Sequence, residues 1–326
     1  MPYFDTTYTN GVIASREKYL LKDKLFRLCE LDAADAFRSL LESGFGGGAE
    51  SATGVHDYEN LIAAEENSLD AFIREYAPSK VESIFLLSPR DFHNAKALVK
   101  AAYLGIDPTR MLAPQGLIEV TELSACIENK NFDALKEKNA ALCKACEEAI
   151  SSLETTPSGA KVGEIFEKAL YGYLAETVKF KPIFKKLLAQ KADMTNILTA
   201  LRCGEEALAK EKYLPAGKLS AEKLGALFLE DKESALLAFA DTPYKDFVKL
   251  CFVDKEKGLP MTAAEKYLGG LETEYFAAKK YDLRKNEPFL YYVYRRRTEN
   301  ANVRIVFACL LAGQTEYEIK KRLRAF

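Results

Sequence analysis

The stretch Glu299–Gly313, ENANVRIVFACLLAG, decides how this chain is read. Val303, Val306, Phe307, Leu310 and Leu311 fall at i, i+3, i+4, i+7 and i+8, which is one face of an α-helix. Ile305, Ala308 and Cys309 fill the flanks, so the helix is expected to be apolar nearly all round and deeply buried. It nevertheless carries three polar residues near its start, Glu299, Asn302 and Arg304, and it stops on a glycine.

Two upstream stretches repeat the pattern. DFHNAKALVKAAYLG begins at Asp91 and DMTNILTALRCG begins at Asp193. All three read acid-x-x-Asn, apolar helix, glycine. Ala95, Leu98, Val99 and Ala102 keep the helical spacing in the first copy, and Ile197, Ala200, Leu201 and Gly204 keep it in the second. The acids stand 102 residues apart from 91 to 193 and 106 apart from 193 to 299. Other landmarks hold the same step. Pro114 and Gly116 follow the first copy as Pro215 and Gly217 follow the second, and Ala36, Ala134 and Ala235 precede the three motifs. Several landmarks in one order at one step predict three helical units, spanning residues 1–116, 117–217 and 218–326. The period is too long for tetratricopeptide or HEAT-type repeats, which run about 34 to 47 residues. Each unit is therefore expected to be a small helical subdomain.

The repeat gives its polar residues a structural role. An acid at a helix N-cap accepts from the free amides of the first turn and suits the positive end of the helix dipole. Asp91, Asp193 and Glu299 are expected to be such caps, with Asn94, Asn196 and Asn302 reaching back to them. Arg304 recurs only as Lys96, while the second copy has Leu198.

Helical periodicity also covers roughly Ser15–Ser43, Asn60–Tyr76, Asp133–Leu153, Val162–Thr177 and Ala263–Lys280. Glycine and proline break the pattern at Gly44–Gly48, Thr155–Gly159 and Lys257–Pro260. Only Val81–Ser88, between Pro78 and Pro89, resembles a strand, and helix fits it slightly better. With no other alternating pattern, the fold class expected is all-α.

Few residues suggest chemistry. GFGGGA (Gly44–Ala49) fits G-x-G-x-x-A, but a dinucleotide site needs it between a strand and a helix. Here it follows a helical stretch, so a mobile loop is expected and no cofactor. Cys143 and Cys146 form a lone C-x-x-C without the second ligand pair a zinc site requires. The histidines are His56 and His93. His93 gives way to Thr195 and Ala301 in the other copies, which makes it a weak ligand candidate. No P-loop, G-x-S-x-G or H-E-x-x-H motif is present. No catalytic, cofactor or metal residue is therefore assigned. In FLYYVYRRRTEN (Phe289–Asn300), aromatics interleave with Arg295, Arg296 and Arg297. Such a mixture can stack on bases, yet the net charge is −2 and gives no basic footprint. The expectation is a helix burying Phe289 and Tyr292, with the three arginines facing water or an acidic partner.

Composition sets the remaining bounds. At 48% hydrophobic and 29% charged residues, the chain can bury a sizeable core. Seven scattered cysteines, an odd number, argue against a disulfide framework and for reduced thiols. No signal-peptide pattern is seen at the N-terminus, and no apolar run approaches the ~20 residues of a membrane span.

YTNGVIASREKYLL near the start, AFRSLLESGFG after it, and PFLYYVYRRRTENANVRIVFACLLAGQTEYEIKKRL near the end resemble the C subunit of V/A-type ATPases, the relative of the eukaryotic V-ATPase d subunit. The resemblance spans essentially the whole chain. It implies an all-helical protein of three similar subdomains arranged as a pseudo-threefold funnel. It also implies a non-catalytic central-stalk component on the cytoplasmic face of a membrane complex. Such a component is a socket between the rotor shaft of the soluble ATPase head and the membrane rotor ring, and it passes torque for ion transport or ATP synthesis. The competing readings are a helical enzyme with a carboxylate site between repeats and a helical nucleic-acid-binding scaffold.

Overall fold

The computed structural model describes residues 6–17, 24–48, 52–229, 231–256, 262–282 and 285–324. The expected break at Lys257–Pro260, and Ala49 of the glycine stretch, lie outside them. Among the described residues there are seventeen α-helices and no strand, as the periodicity predicts. Helices α1 (Thr6–Glu17), α2 (Leu25–Leu28), α3 (Ala33–Glu42) and α4 (Tyr58–Tyr76) precede the long α5 (Lys80–Leu104). Then come α6 (Val120–Glu128), α7 (Asp133–Lys138), α8 (Ala140–Thr155), α9 (Gly159–Thr177) and the long α10 (Pro182–Cys203). Shorter helices follow: α11 (Glu206–Lys212), α12 (Ala221–Gly225), α13 (Lys232–Ala238) and α14 (Lys245–Glu256). The last three are α15 (Thr262–Ala277), the long α16 (Glu287–Leu311) and α17 (Glu316–Arg322).

These helices pack as two compact units, one of Met1–Ser79 with Glu265–Phe326 and one of Lys80–Ala264. In the first, α16 packs on α4 and α1, so the two ends of the chain share a core. Phe307 is fully buried there, stacked on Tyr58 at 5.3 Å and meeting Phe37 edge-on at 6.2 Å. Phe72 of α4 stacks on Phe289 at 5.5 Å. Each such ring buried contributes about 1.5–3 kcal/mol. In the second unit, α5, α8 and α9 pack on one another around Phe92, Leu98, Leu142, Ala149 and Phe166.

The three repeat glycines end the three long helices, and the reason is backbone conformation. Gly105 (φ 63°), Gly204 (φ 72°) and Gly313 (φ 69°) are all left-handed, a region that a Cβ disfavours. After α16 the Gln314 amide bonds the Cys309 carbonyl at 3.0 Å, and after α5 the Ile106 amide bonds the Ala101 carbonyl at 3.1 Å. Both are the wide closing bond of a Schellman stop.

Val81–Ser88 is helical, as its sequence favours, and α5 runs on through Pro89, which removes one helix hydrogen bond without ending the helix. Other boundaries differ from those expected. Ser15–Ser43 is not one helix, because α1, α2 and α3 are separate. Asp133–Leu153 breaks at Asn139, whose extended backbone and side chain cap α8 by accepting from the Leu142 amide at 3.0 Å. The alanine landmark holds at Ala36 and Ala235, which are fully buried, but Ala134 is exposed and Leu135 takes the buried place. The true register is set four residues before each buried position. Asp32, Asn131 and Asp231 each accept from a main-chain amide at the start of α3, α7 and α13.

The burial of α16 is also redistributed. Its deepest part is Pro288–Asn300, Arg295 and Arg296 included, whereas Ala308 and Leu311 near its C-terminus are exposed.

Candidate functional site

Asp91, Asp193 and Glu299 do not cap the helices that carry them. They sit inside α5, α10 and α16, many residues from the N-termini at Lys80, Pro182 and Glu287. All three are buried, at 1%, 1% and 0% exposure, so the charge must be met by donors. The donors to the two aspartates are main-chain amides of a later segment. Asp91 accepts from Leu117 and Ile118 at 3.1 and 3.0 Å. Asp193 accepts from Lys218 and Leu219 at 2.7 and 2.9 Å, and from the Tyr244 hydroxyl at 2.7 Å. Burial, and then that carboxylate, push the Tyr244 hydroxyl far up, so it remains a proton donor.

The asparagines do not reach back either. Each clasps one residue of the returning chain by both of its main-chain groups. Asn94 donates to the Ala113 carbonyl at 3.2 Å and accepts from the Ala113 amide at 2.8 Å. Asn196 does the same to Leu214 at 3.1 and 2.7 Å, and Asn302 to Arg324 at 3.2 and 2.8 Å. The carboxamide thus imitates a strand partner for a single residue, a role that suits its paired donor and acceptor.

The repeated glycines after Pro114 and Pro215 belong to the same device. A Cβ on Gly217 would stand 2.7 Å from the Asp193 carboxylate, and one on Gly116 would overlap the Asp91 carboxylate outright. Glycine is needed there because the backbone must approach the acid. In the third copy Glu299 meets arginines instead. Arg296 bonds it at 2.9 Å and Arg295 lies 4.0 Å away.

Those arginines are the second correction. Arg295 and Arg296 were expected at the surface, but they are 4% and 6% exposed. Arg296 bridges Glu299 to Glu65 of α4, whose other oxygen accepts from the Gly46 amide at 2.8 Å. Buried charges persist when paired and hydrogen-bonded, and the pairing acid here is 231 residues away in sequence. Arg297 alone is half-buried, its guanidinium 5.9 Å from the Tyr294 ring. Arg304 grips Glu59 with three contacts of 2.9 to 3.1 Å and so fastens α16 to α4.

The other candidates resolve simply. Gly44–Gly48 is docked rather than loose. Phe45 is buried, and a Cβ on Gly46 would clash with Leu61. Cys143 and Cys146 face the core of the second unit, and burial pushes the Cys146 thiol up to about 12. A protonated thiol is a poor metal ligand. The His93 ring contacts the Met111 carbonyl at 3.0 Å. Among the described residues no group of three or more His, Cys, Asp or Glu is arranged to hold a metal ion, and no helix is long and apolar enough to cross a membrane.

The motif that repeats is thus a fastening between long helices and returning chain. Comparison with known families fits that picture. The family model described as ATP synthase (C/AC39) subunit matches residues 9–322. No curated protein matches the chain. With all but a few terminal residues matched, the chain belongs to the ATP synthase (C/AC39) subunit family of V/A-type ATPases.

Proposed function

We propose that this chain is a non-catalytic component of the central stalk. In this reading it joins the rotor shaft of the soluble ATPase head to the membrane rotor ring on the cytoplasmic face, and passes torque between them. The family match over residues 9–322 carries the reading. The construction of the long helices supports it. A torque coupler needs stiffness. Each clasp ties a returning segment to a buried helix through both main-chain groups, and the Glu65–Arg296–Glu299 bridge ties α4 to α16. The repeats at 1–116, 117–217 and 218–326 are read as three similar subdomains, since each contributes one long clasped helix.

Of the three arginines, contact with an acidic partner surface is proposed for Arg297 alone. Co-purification tests the function. The intact chain is expected to be captured by the shaft subunits and by the membrane ring, and capture by neither overturns the reading. Arg297→Glu is expected to weaken capture by one of the two while leaving helicity unchanged.

A further inference from the structure

The first unit holds a cavity of about 410 Å³ that the coupling role does not use. Its walls come from four places: Arg16 of α1, the Gly44–Gly47 turn, Glu65 and Ser68 of α4, and Tyr292 and Arg296 of α16. The volume lies in the range of small-molecule sites, about 300–1,000 Å³.

The charges in it are unequally committed. Arg296 is taken up by Glu65 and Glu299. Glu65 is neutralised in turn, one oxygen on Arg296 and the other on the Gly46 amide at 2.8 Å. That leaves Arg16. Among the described residues no carboxylate comes within ion-pair distance of it. Its guanidinium lies 5.0 Å from the centre of the Phe72 ring, which fixes the group by a cation–π contact. It also lies close enough to the Tyr292 hydroxyl to oppose, together with Arg296, the upward push of burial on that group. A half-buried guanidinium, held in place on an aromatic ring and with no carboxylate among the described residues to answer it, is a recognition element for a planar or tetrahedral oxyanion. Ser68 offers a hydroxyl on the wall, and the glycine turn brings main chain to the rim without side chains in the way.

We propose that this cavity binds a small anion bearing a phosphate or carboxylate group, with Arg16 as its charged partner and Tyr292 and Ser68 as hydrogen-bonding partners. The test is titration of the full chain with inorganic phosphate and, separately, with succinate at constant ionic strength. Amide resonances of Gly44, Gly46, Gly47 and Ser68 are followed. They are expected to move together and saturate with at least one anion, and the anion that moves them identifies the class. Arg16→Gln is expected to weaken that binding about tenfold or more, as loss of a charge-assisted hydrogen bond should. Tyr292→Phe keeps the ring and is expected to weaken it a few-fold. Arg38→Gln, an exposed change elsewhere, is expected to leave it alone. If neither anion moves those four resonances in the unmodified chain, or if a folded Arg16→Gln binds as tightly, the site does not exist.

Discussion

Removing one clasp measures what the repeated asparagine does. Asn196→Ala deletes the donor to the Leu214 carbonyl and the acceptor of its amide, at 3.1 and 2.7 Å. Leu214 is 6% exposed, so neither orphaned main-chain group readily finds water. Stranding a buried polar group costs about 1–3 kcal/mol, and two are stranded, so the expected loss is roughly 2–6 kcal/mol. Urea unfolding is the assay, read by far-UV circular dichroism because the chain has no tryptophan. Asn196→Asp separates hydrogen bonding from packing. The charged carboxylate keeps the acceptor but turns an oxygen toward the Leu214 carbonyl, beside Asp193. Burial and that repulsion raise the new group's folded pKa above its unfolded value. Its protonated form is then the one the fold prefers, so the relative penalty is smallest below the unfolded carboxyl range and grows as pH rises through the folded pKa. A cost below about 1 kcal/mol for Asn196→Ala, or a pH-independent penalty for Asn196→Asp, refutes the clasp as a stabilising element.

Three further outcomes follow from the same structure. Asn302→Ala is expected to cost only about 1 kcal/mol, because its partner Arg324 is half-buried and water can replace the carboxamide; equal losses at 196 and 302 in the same unfolding assay would contradict this. Gly217→Ala should destabilise by about 1–3 kcal/mol through overpacking against Asp193, whereas Gly163→Ala inside α9, with nothing within 4 Å, should stabilise by roughly 0.5–1 kcal/mol; melting temperatures of the pair decide it. Under native conditions a thiol reagent should modify half-buried Cys203 first, with buried Cys146, its thiol raised to about 12, reacting only on unfolding; peptide mapping of the labelled chain would show the order.

The helical class, the C-terminal halves of the three long helices and their glycine stops were legible because they rest on local rules. A 3.6-residue period and a left-handed glycine announce themselves within a few neighbours. The function of the acids was not, since acid-x-x-Asn looks the same at a cap and in mid-helix. What distinguishes them is a partner 18 to 27 residues away, as with Leu214 for Asn196 and Ile118 for Asp91. The landmarks at Gly116 and Gly217 did carry that signal, since a glycine repeating outside any helix asks what approaches it. Arg295 and Arg296 were misread for the opposite reason. Three consecutive arginines in a nearly neutral chain suggest a solvated face, and Glu65 lies too far along the sequence to be seen as the answering charge. The aromatic residues on every side of Phe289–Tyr294 were the available clue, for a helix apolar all round has no face to give to water.

Each asparagine clasp reads its target only by backbone. Ala113, Leu214 and Arg324 occupy the same position in three copies with three unrelated side chains, and the bonds are the same pair each time. The fastening is therefore indifferent to spelling. A duplicated unit can drift at the clasped segment without loosening its hold, so its outward side chains are free to specialise, one copy at a time, for whatever surface each has to meet.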